Sequence, residues 1–300
     1  MNATAAIANR LYLASATPAR RRFARALRDP ARAQQDALMR IVVANAYSAF
    51  GRRHGFSGIR SVADYRTRVD VHDYDQLEQD ILREADGTRR VLTTDPVVCF
   101  EHTGGSSRPN KLVPYTQALL REFSAATMPW ISDLLLQRPA LRNGRAYWAV
   151  SPPARRAATT SGGIPIGLEH DSDYFPAFAR ALLDGVIGTP RALSRVPDVD
   201  AWRYLTLRSL LAVPDLAFIS VWNPSFLTLL ADALDEHWVR LLRDLETGEL
   251  SVGLTGSVRE ELRRALPARP RLAYALRYQF GPRPPEDLGA VWERLALISC

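Results

Sequence analysis

Four short apolar runs, separated by longer helix-like segments, limit the folds that are open to this 300-residue chain. Each run is short and bounded by turn residues, which is typical of a buried strand. Strands that alternate with helices favour an α/β fold, because consecutive parallel strands need a long crossover that a helix usually supplies. We therefore predict a largely parallel sheet, or sheets, flanked by helices. The runs are Val97–Phe100, Ala146–Val150, Leu216–Val221 and Leu295–Cys300.

The first fifty residues predict helices without an intervening strand. Residues 3–50 form two helical patterns that break near Asp29-Pro30. We therefore predict a helical region over residues 1–50 and an α/β domain over residues 51–300. Further along, Asp73 and Gln76 have the spacing of a capping box, and Thr116 is a plausible N-cap for a long helix.

The stretch from Glu101 to Pro114 lies between the first predicted strand and that long helix. Its small residues and hydroxyls can bring several backbone N–H groups around an anion. Lys111 is the only lysine among 39 basic residues, and it supplies a mobile cation for outer phosphates. The alternative is a surface loop that carries one lysine by chance. The loop is not a Walker A motif, because Gly-Lys-Ser/Thr is absent at the required spacing.

Composition predicts a cytoplasmic protein with no membrane partner. The chain is 47% hydrophobic, which is ample for a core, yet no apolar run reaches the ~18 residues of a membrane helix. No basic segment precedes an apolar core at the N-terminus, so no secretory signal is predicted. Cys99 and Cys300 are the only cysteines, and they lie far apart in sequence.

Positive charge is unevenly distributed along the chain, because residues 1–60 contain eleven arginines and only two acidic residues. Such a basic end suits a nucleic acid or an anionic surface, but without a base-reading motif we favour a solvated helix face, and nucleic acid is disfavoured as a partner.

Sequence motifs for zinc binding, for α/β-hydrolases and for dinucleotide binding are absent. The five histidines form no zinc signature, and Gly-x-Ser-x-Gly and Gly-x-Gly-x-x-Gly are both absent. Glu169, Asp171 and Asp173 either hold Mg²⁺ or form the acidic first turn of a helix, and the second reading is favoured. His102 either contacts phosphate or is a bystander.

The stretch from Thr103 to Lys111, followed by Leu112–Thr116, resembles the phosphate loop of adenylate-forming enzymes. It is most similar to that of the Gretchen Hagen (auxin-responsive promoter) family of acyl-acid amido synthetases and their bacterial relatives. The resemblance spans about residues 45–300 and includes further landmarks in the same order. These landmarks are Ala146–Trp148 through Ser151-Pro152, Gly163–Gly167, Tyr204–Leu207, Ile219–Leu227 and Leu297–Cys300.

The resemblance implies the large domain of an adenylate-forming (acyl-activating) ligase. Such a ligase uses ATP and Mg²⁺ to convert a small carboxylic acid into an acyl-adenylate. An amine or amino-acid acceptor then displaces AMP to form an amide. The resemblance makes Lys111 the catalytic residue that neutralises the phosphates as pyrophosphate leaves. The phosphates would be lined by Thr103, Gly104, Gly105, Ser106 and Ser107, together with Lys111. The acyl pocket would lie among the helix after Thr116 and the segments after Gly167.

Two departures from the family pattern shape the expectation. His102 stands where a small hydroxyl residue is usual, and Arg108 replaces a glycine, the residue that takes positive φ most cheaply. The family's adenosine-binding residues and C-terminal lid come later than residue 300, so we expect an N-terminal part with impaired activity. An acyl-CoA ligase and a non-catalytic remnant that binds small carboxylates are the alternatives. Whether the chain alone is an enzyme is left open.

Overall fold

A computed structural model describes residues 3–102, 111–149, 158–167 and 177–300 of the chain, and it shows helices alternating with short strands. The strands are β1 (Val97–His102), β2 (Leu112–Thr116), β3 (Arg145–Ala149), β4 (Ala158–Thr159), β5 (Pro165–Ile166), β6 (Leu216–Val221) and β7 (Leu297–Ser299). The helices are α1 (Ala3–Ala26), α2 (Pro30–Ala44), α3 (Ala49–Arg53), α4 (Val62–Arg68), α5 (Tyr74–Ala85), α6 (Gln117–Gln137), α7 (Ala177–Asp184), α8 (Val199–Leu211), α9 (Pro224–Thr247), α10 (Gly256–Ala265), α11 (Pro270–Phe280) and α12 (Leu288–Val291).

The chain divides into two compact units, and the first contains a parallel sheet. This unit comprises residues 1–15, 131–156 and 169–300. Its sheet has the strand order β3-β6-β7, and both pairs of neighbours are parallel. The strands are separated in sequence by helices, as a parallel crossover requires. One apolar cluster, which includes Tyr147 on β3, Ile219 on β6 and Trp238 on α9, packs around this sheet.

The second unit contains a sheet of mixed direction. It comprises residues 16–130 and 157–168. The strand order is β2-β1-β5-β4, in which β1 is antiparallel to β2 and parallel to β5. β1 and β2 are joined directly by the segment 103–110, so they form a hairpin instead of a crossover. Phe100 on β1 is fully buried against Ile81 and Ala85 of α5, and this small cluster supports the middle of β1.

Most predicted elements are confirmed. All four apolar runs contain strands, and the α/β class with parallel sheet content is confirmed. Asp73 and Gln76 form the predicted capping box, and the Thr116 hydroxyl accepts a hydrogen bond from the Leu119 N–H at 3.1 Å. The boundary predicted at residue 50 stays a prediction. Within the described residues, no helix combines the length and the hydropathy needed to cross a bilayer.

Two helical details differ from the sequence-based expectation. The amphipathic pattern of residues 235–246 predicts a helix of its own, but these residues are the second half of the 24-residue α9. No breaker interrupts residues 224–247, and the first turn is already capped by Asn223 and Pro224. The helix α11 is not predicted by the apolar pattern, although Pro270 occupies its first turn in the usual way.

Candidate active site

The β1–β2 hairpin holds both ends of the predicted phosphate loop. His102 pairs with Leu112, and Glu101 pairs with Val113, so the two strands are in register up to the point where the loop begins. The segment 103–110 connects them. The predicted phosphate-lining residues Thr103, Gly104, Gly105, Ser106 and Ser107 lie outside the described residues, as does Arg108. The structure therefore describes the frame of the loop and its lysine.

Lys111 lies immediately before β2, above the first turn of α5. Its Nζ atom is 4.7 Å from the centre of the Tyr74 ring, within the range of a cation–π contact. The carboxylate oxygen Asp75 Oδ1 is 4.0 Å from Nζ, and 30% of the lysine side chain is exposed. The ammonium group is thus held over an aromatic ring but paired only loosely with a carboxylate. This arrangement leaves it able to bind an anion.

Tyr74 connects the lysine to the hairpin backbone. Its hydroxyl oxygen accepts a hydrogen bond from the N–H of Leu112 at 2.9 Å, so one side chain contacts both Lys111 and the first residue of β2. Tyr74 itself begins α5, and the Asp73–Gln76 capping box fixes the start of that helix. Sequence reasoning found the cap but missed Tyr74 and Asp75. The signal that could have found them is their position in the first turn of a capped helix.

Ionisable side chains lie at the ends of β1 and β2 that adjoin the loop, and others lie further along these two strands. The Nδ1 atom of His102 is buried and has no hydrogen-bond partner among the residues that the structure describes. Burial raises the pKa of Tyr115, and the negative charge of Glu101 raises it further. Burial, followed by the charge of Glu101, raises the pKa of the Cys99 thiol to about 12. Cys99 therefore stays protonated at neutral pH and is not a nucleophile.

A second small-residue segment lies beside β1. The N–H of Gly167 donates to the carbonyl oxygen of Phe100 at 2.7 Å, and Phe100 pairs with Ile166 in parallel. Further back, the Ser161 hydroxyl donates to the Asp86 carboxylate, and the Gly162 N–H donates to the Ala85 carbonyl. A Cβ atom at Gly162 would lie 2.5 Å from the Gly87 nitrogen, so this close approach requires glycine.

The described part of the chain offers no protein-only metal cage. No cluster of three or more His, Cys, Asp or Glu side chains suitable for a metal ion occurs there. The predicted acidic group of Glu169, Asp171 and Asp173 lies outside the described residues. Mg²⁺ usually keeps several waters and binds through one or two carboxylates and the substrate phosphates. Lys111, whose ammonium group is paired only loosely with Asp75, is a described residue of the hairpin that fits an anionic ligand such as a phosphate group.

Solved structures share this fold. The structure of GH3.15 acyl acid amido synthetase matches with a TM-score of 0.71 at 20% identity, over 88% of this chain and 47% of that chain. The complex of AtGH3.15 acyl acid amido synthetase with 2,4-DB matches with a TM-score of 0.73 at 20% identity, over the same shares of the two chains. The fold is thus that of the N-terminal part of an acyl acid amido synthetase.

Sequence comparisons identify the family. The indole-3-acetic acid-amido synthetase GH3.5 of Arabidopsis thaliana is 26% identical over 251 residues, which are 80% of this chain and 40% of that protein. The jasmonoyl-L-amino acid synthetase GH3.3 of Oryza sativa subsp. japonica is 27% identical over 237 residues, which are 76% of this chain and 50% of that protein. Residues 19–300 match the GH3 family N-terminal domain, so the chain belongs to the GH3 family. The predicted resemblance is confirmed, and the chain spans about 40% to 50% of the length of these two relatives.

Proposed function

We propose that the β1–β2 hairpin binds the phosphates of ATP with Mg²⁺, and that the chain takes part in ATP-dependent activation of a carboxylic acid. The observation that carries this proposal is the position of Lys111, which is the only lysine of the chain and lies at the mouth of the hairpin. The names of the relatives support a carboxylic acid as the acyl substrate and an amino acid as the acceptor. The two-cysteine composition supports a cytoplasmic location.

The residues of this chain have defined tasks in the proposal. When bound, Mg-ATP supplies the adenylyl group that activates the carboxylate. Tyr74 and Asp75 hold the ammonium group of Lys111 near the loop, where it offsets charge that develops on the leaving phosphates. Backbone N–H groups and hydroxyls of residues 103–107 complete the phosphate contacts. The Glu101 and His102 end of β1 forms the opposite side of the hairpin mouth.

Calorimetric titration of Mg-ATP into the 300-residue chain tests this function. We expect saturable binding that weakens about tenfold or more in Lys111→Ala, because a charge-assisted hydrogen bond contributes roughly 1.5–3 kcal/mol. Arg66→Ala is the matched control, since Arg66 is an exposed cation on α4 in the same unit. Its loss changes the net charge equally but should leave the affinity unchanged.

Two outcomes would contradict the proposal. Equal affinities for the wild type and Lys111→Ala would show that the lysine does not bind the phosphates. Equal losses in Lys111→Ala and Arg66→Ala would show that only net charge matters. If binding depends on Lys111, carboxylate-dependent pyrophosphate exchange with indole-3-acetate as the first probe tests the activation step.

A further inference from the structure

Positive charge is concentrated at one end of this chain. Residues 1–60 carry eleven arginines against Asp29 and Asp36. The remaining 240 residues are nearly balanced, with 28 basic and 30 acidic side chains. A general preference for arginine would raise the count everywhere, but it would not remove the acidic residues from one segment. The segregation therefore needs an explanation beyond composition.

The densest part of this charge lies on an exposed segment, residues 20–32, which is named the basic arm. It comprises the end of α1, a short turn and the start of α2. Every residue of the arm except Ala26 is exposed, including Ala24, Pro30 and Ala31. A helix that packed against its own unit would bury one face, so the arm makes little contact with the rest of its unit. Its arginines are Arg20, Arg21, Arg22, Arg25, Arg28 and Arg32.

These arginines have no acidic partners within the described part of the chain. None of the six forms an ion pair with a described residue. The one acidic residue of the arm, Asp29, accepts a hydrogen bond from the N–H of Arg32 at 3.1 Å and caps α2. The arm therefore presents six guanidinium groups against one carboxylate. Such a surface is complementary to a polyanion.

Two large apolar side chains lie among the arginines. Phe23 is 49% exposed, and Leu27 is 60% exposed. The N–H of Leu27 donates to the carbonyl oxygen of Phe23 at 3.0 Å, so the helical geometry continues and places both side chains on one face. The phosphate backbone of a nucleic acid offers no apolar surface that would contact this face. A lipid interface binds both features, because arginines contact anionic headgroups and apolar side chains enter the acyl boundary.

We propose that the basic arm docks the protein on the surface of an anionic phospholipid membrane. Charge complementarity brings the arm to the headgroups, and Phe23 and Leu27 anchor it. This proposal departs from the expectation of no membrane partner, which rested on the absence of a spanning segment. Peripheral docking needs no such segment. The proposal is independent of nucleotide binding at Lys111, and either one can fail alone.

Co-sedimentation of the 300-residue chain with lipid vesicles tests the docking. We expect binding to phosphatidylcholine vesicles that contain about 30 mol% phosphatidylserine, and none to pure phosphatidylcholine. Binding should fall steeply between roughly 0.1 and 0.5 M NaCl, because salt screens exposed charges. R21Q/R22Q should bind about 25-fold more weakly, at about fivefold per arginine. R263Q/R264Q is the matched control, since it removes another pair of adjacent, exposed arginines on a helix, and its affinity should not change.

The variant F23Q/L27Q separates a lipid surface from other polyanions. We expect it to weaken vesicle binding while leaving binding to heparin unchanged. Each variant should keep the circular dichroism spectrum of the wild type, because all four arm residues that are changed are exposed. The proposal is overturned if phosphatidylserine vesicles do not bind at low salt, or if both arginine pairs matter equally. Tighter binding to mixed-sequence DNA that F23Q/L27Q does not affect would overturn it in favour of a nucleic acid.

Discussion

The two units of the chain bury their apolar side chains in different ways. Around the parallel sheet β3-β6-β7, one cluster unites thirty buried residues among those that the structure describes. In the unit that contains the β1–β2 hairpin, called the hairpin unit here, one cluster of four buried residues lies among α2, α4 and the segment between them, and a cluster of three packs β1 against α5. The hairpin unit compensates with local polar contacts, such as the Asp73 cap and the Tyr74–Leu112 hydrogen bond. Elements with few buried contacts open at lower free energy, and binding loops are often drawn from such elements. The unit that contains the parallel sheet, called the parallel unit here, is therefore expected to contribute most of the stability. The hairpin unit is expected to contribute the binding chemistry.

The largest expected effect is on the unfolding free energy, and it is measured by replacing two buried isoleucines, Ile219 on β6 and Ile81 on α5. Ile219 is 2% exposed in the large cluster, and Ile81 is 4% exposed in the small one. We expect Ile219→Ala to cost about 4 kcal/mol of unfolding free energy and Ile81→Ala about 2 kcal/mol, since a small cluster relaxes more easily around a cavity. Urea denaturation measures the totals, and amide hydrogen exchange assigns each loss to its unit. Equal costs would contradict the stated difference between the units.

The parallel sheet was the more predictable of the two. Its strands lie within short, mostly apolar runs, and β6, which is buried on both faces, agrees with the predicted Leu216–Val221 at both ends. The mixed sheet was harder to predict. β4 and β5 have two residues each, so no periodicity reveals them. β1 pairs in parallel with Ile166, far along the chain, and only tertiary structure brings these residues together.

The candidate site shows the same limit. Lys111 stood out because of its rarity and its neighbouring Gly/Ser stretch. The contact between Lys111 and Tyr74 joins residues 37 positions apart, and no local pattern predicts it. The capping box at Asp73 was predictable because all of its atoms lie within one helical turn. Contacts within one turn were thus predictable, and contacts between distant segments were not.

A second prediction concerns the buried charges of the parallel unit. The carboxylate of Asp244 accepts hydrogen bonds from the Tyr204 hydroxyl at 2.8 Å and from the N–H and hydroxyl of Ser251 at 2.6 Å each. Arg208 is fully buried nearby; burial lowers its pKa to about 10, and the charge of Asp244 opposes that shift. We expect Asp244→Asn to cost about 3 kcal/mol in urea denaturation, because it leaves a buried cation without its counter-charge.

The double variant Asp244→Asn/Arg208→Met serves as the control for this prediction. Removing both charges should recover a large part of the loss, since the unpaired guanidinium is then absent. A double variant as unstable as Asp244→Asn would show that the hydrogen bonds to Tyr204 and Ser251 dominate. The tightly packed parallel unit should make this effect larger than any single charge substitution in the hairpin unit.

The hairpin unit has its own buried carboxylate, Glu84 on α5. Its Oε1 atom accepts a hydrogen bond from the Leu92 N–H at 2.9 Å, and burial raises its pKa above the ordinary 4.5. The folded state therefore holds this proton more tightly than the unfolded state does. The stability that Glu84 contributes is complete below pH 4.5 and is lost as the pH rises through the folded-state pKa.

Glu84→Gln should remove this pH dependence. Glutamine keeps the acceptor for Leu92 and has no charge to desolvate, so we expect a gain of up to about 1 kcal/mol near neutral pH and none in acid. Urea denaturation at several pH values measures the difference. Glu78 on the same helix is only partly buried, and Glu78→Gln provides the control. A constant difference between Glu84→Gln and the wild type at every pH would contradict the assignment.

The smallest expected effect tests whether local contacts of the hairpin unit position its lysine. Tyr74→Leu removes the ring beneath the Lys111 ammonium group, and Tyr74→Phe keeps the ring but removes the acceptor for the Leu112 N–H. An exposed cation–π contact contributes about 0.5–1 kcal/mol, so Tyr74→Leu should weaken Mg-ATP binding about two- to fivefold. Tyr74→Phe should bind Mg-ATP nearly as well as the wild type while losing some stability. The opposite order of affinities would mean that the hydrogen bond to the start of β2, and not the ring, places Lys111 for binding.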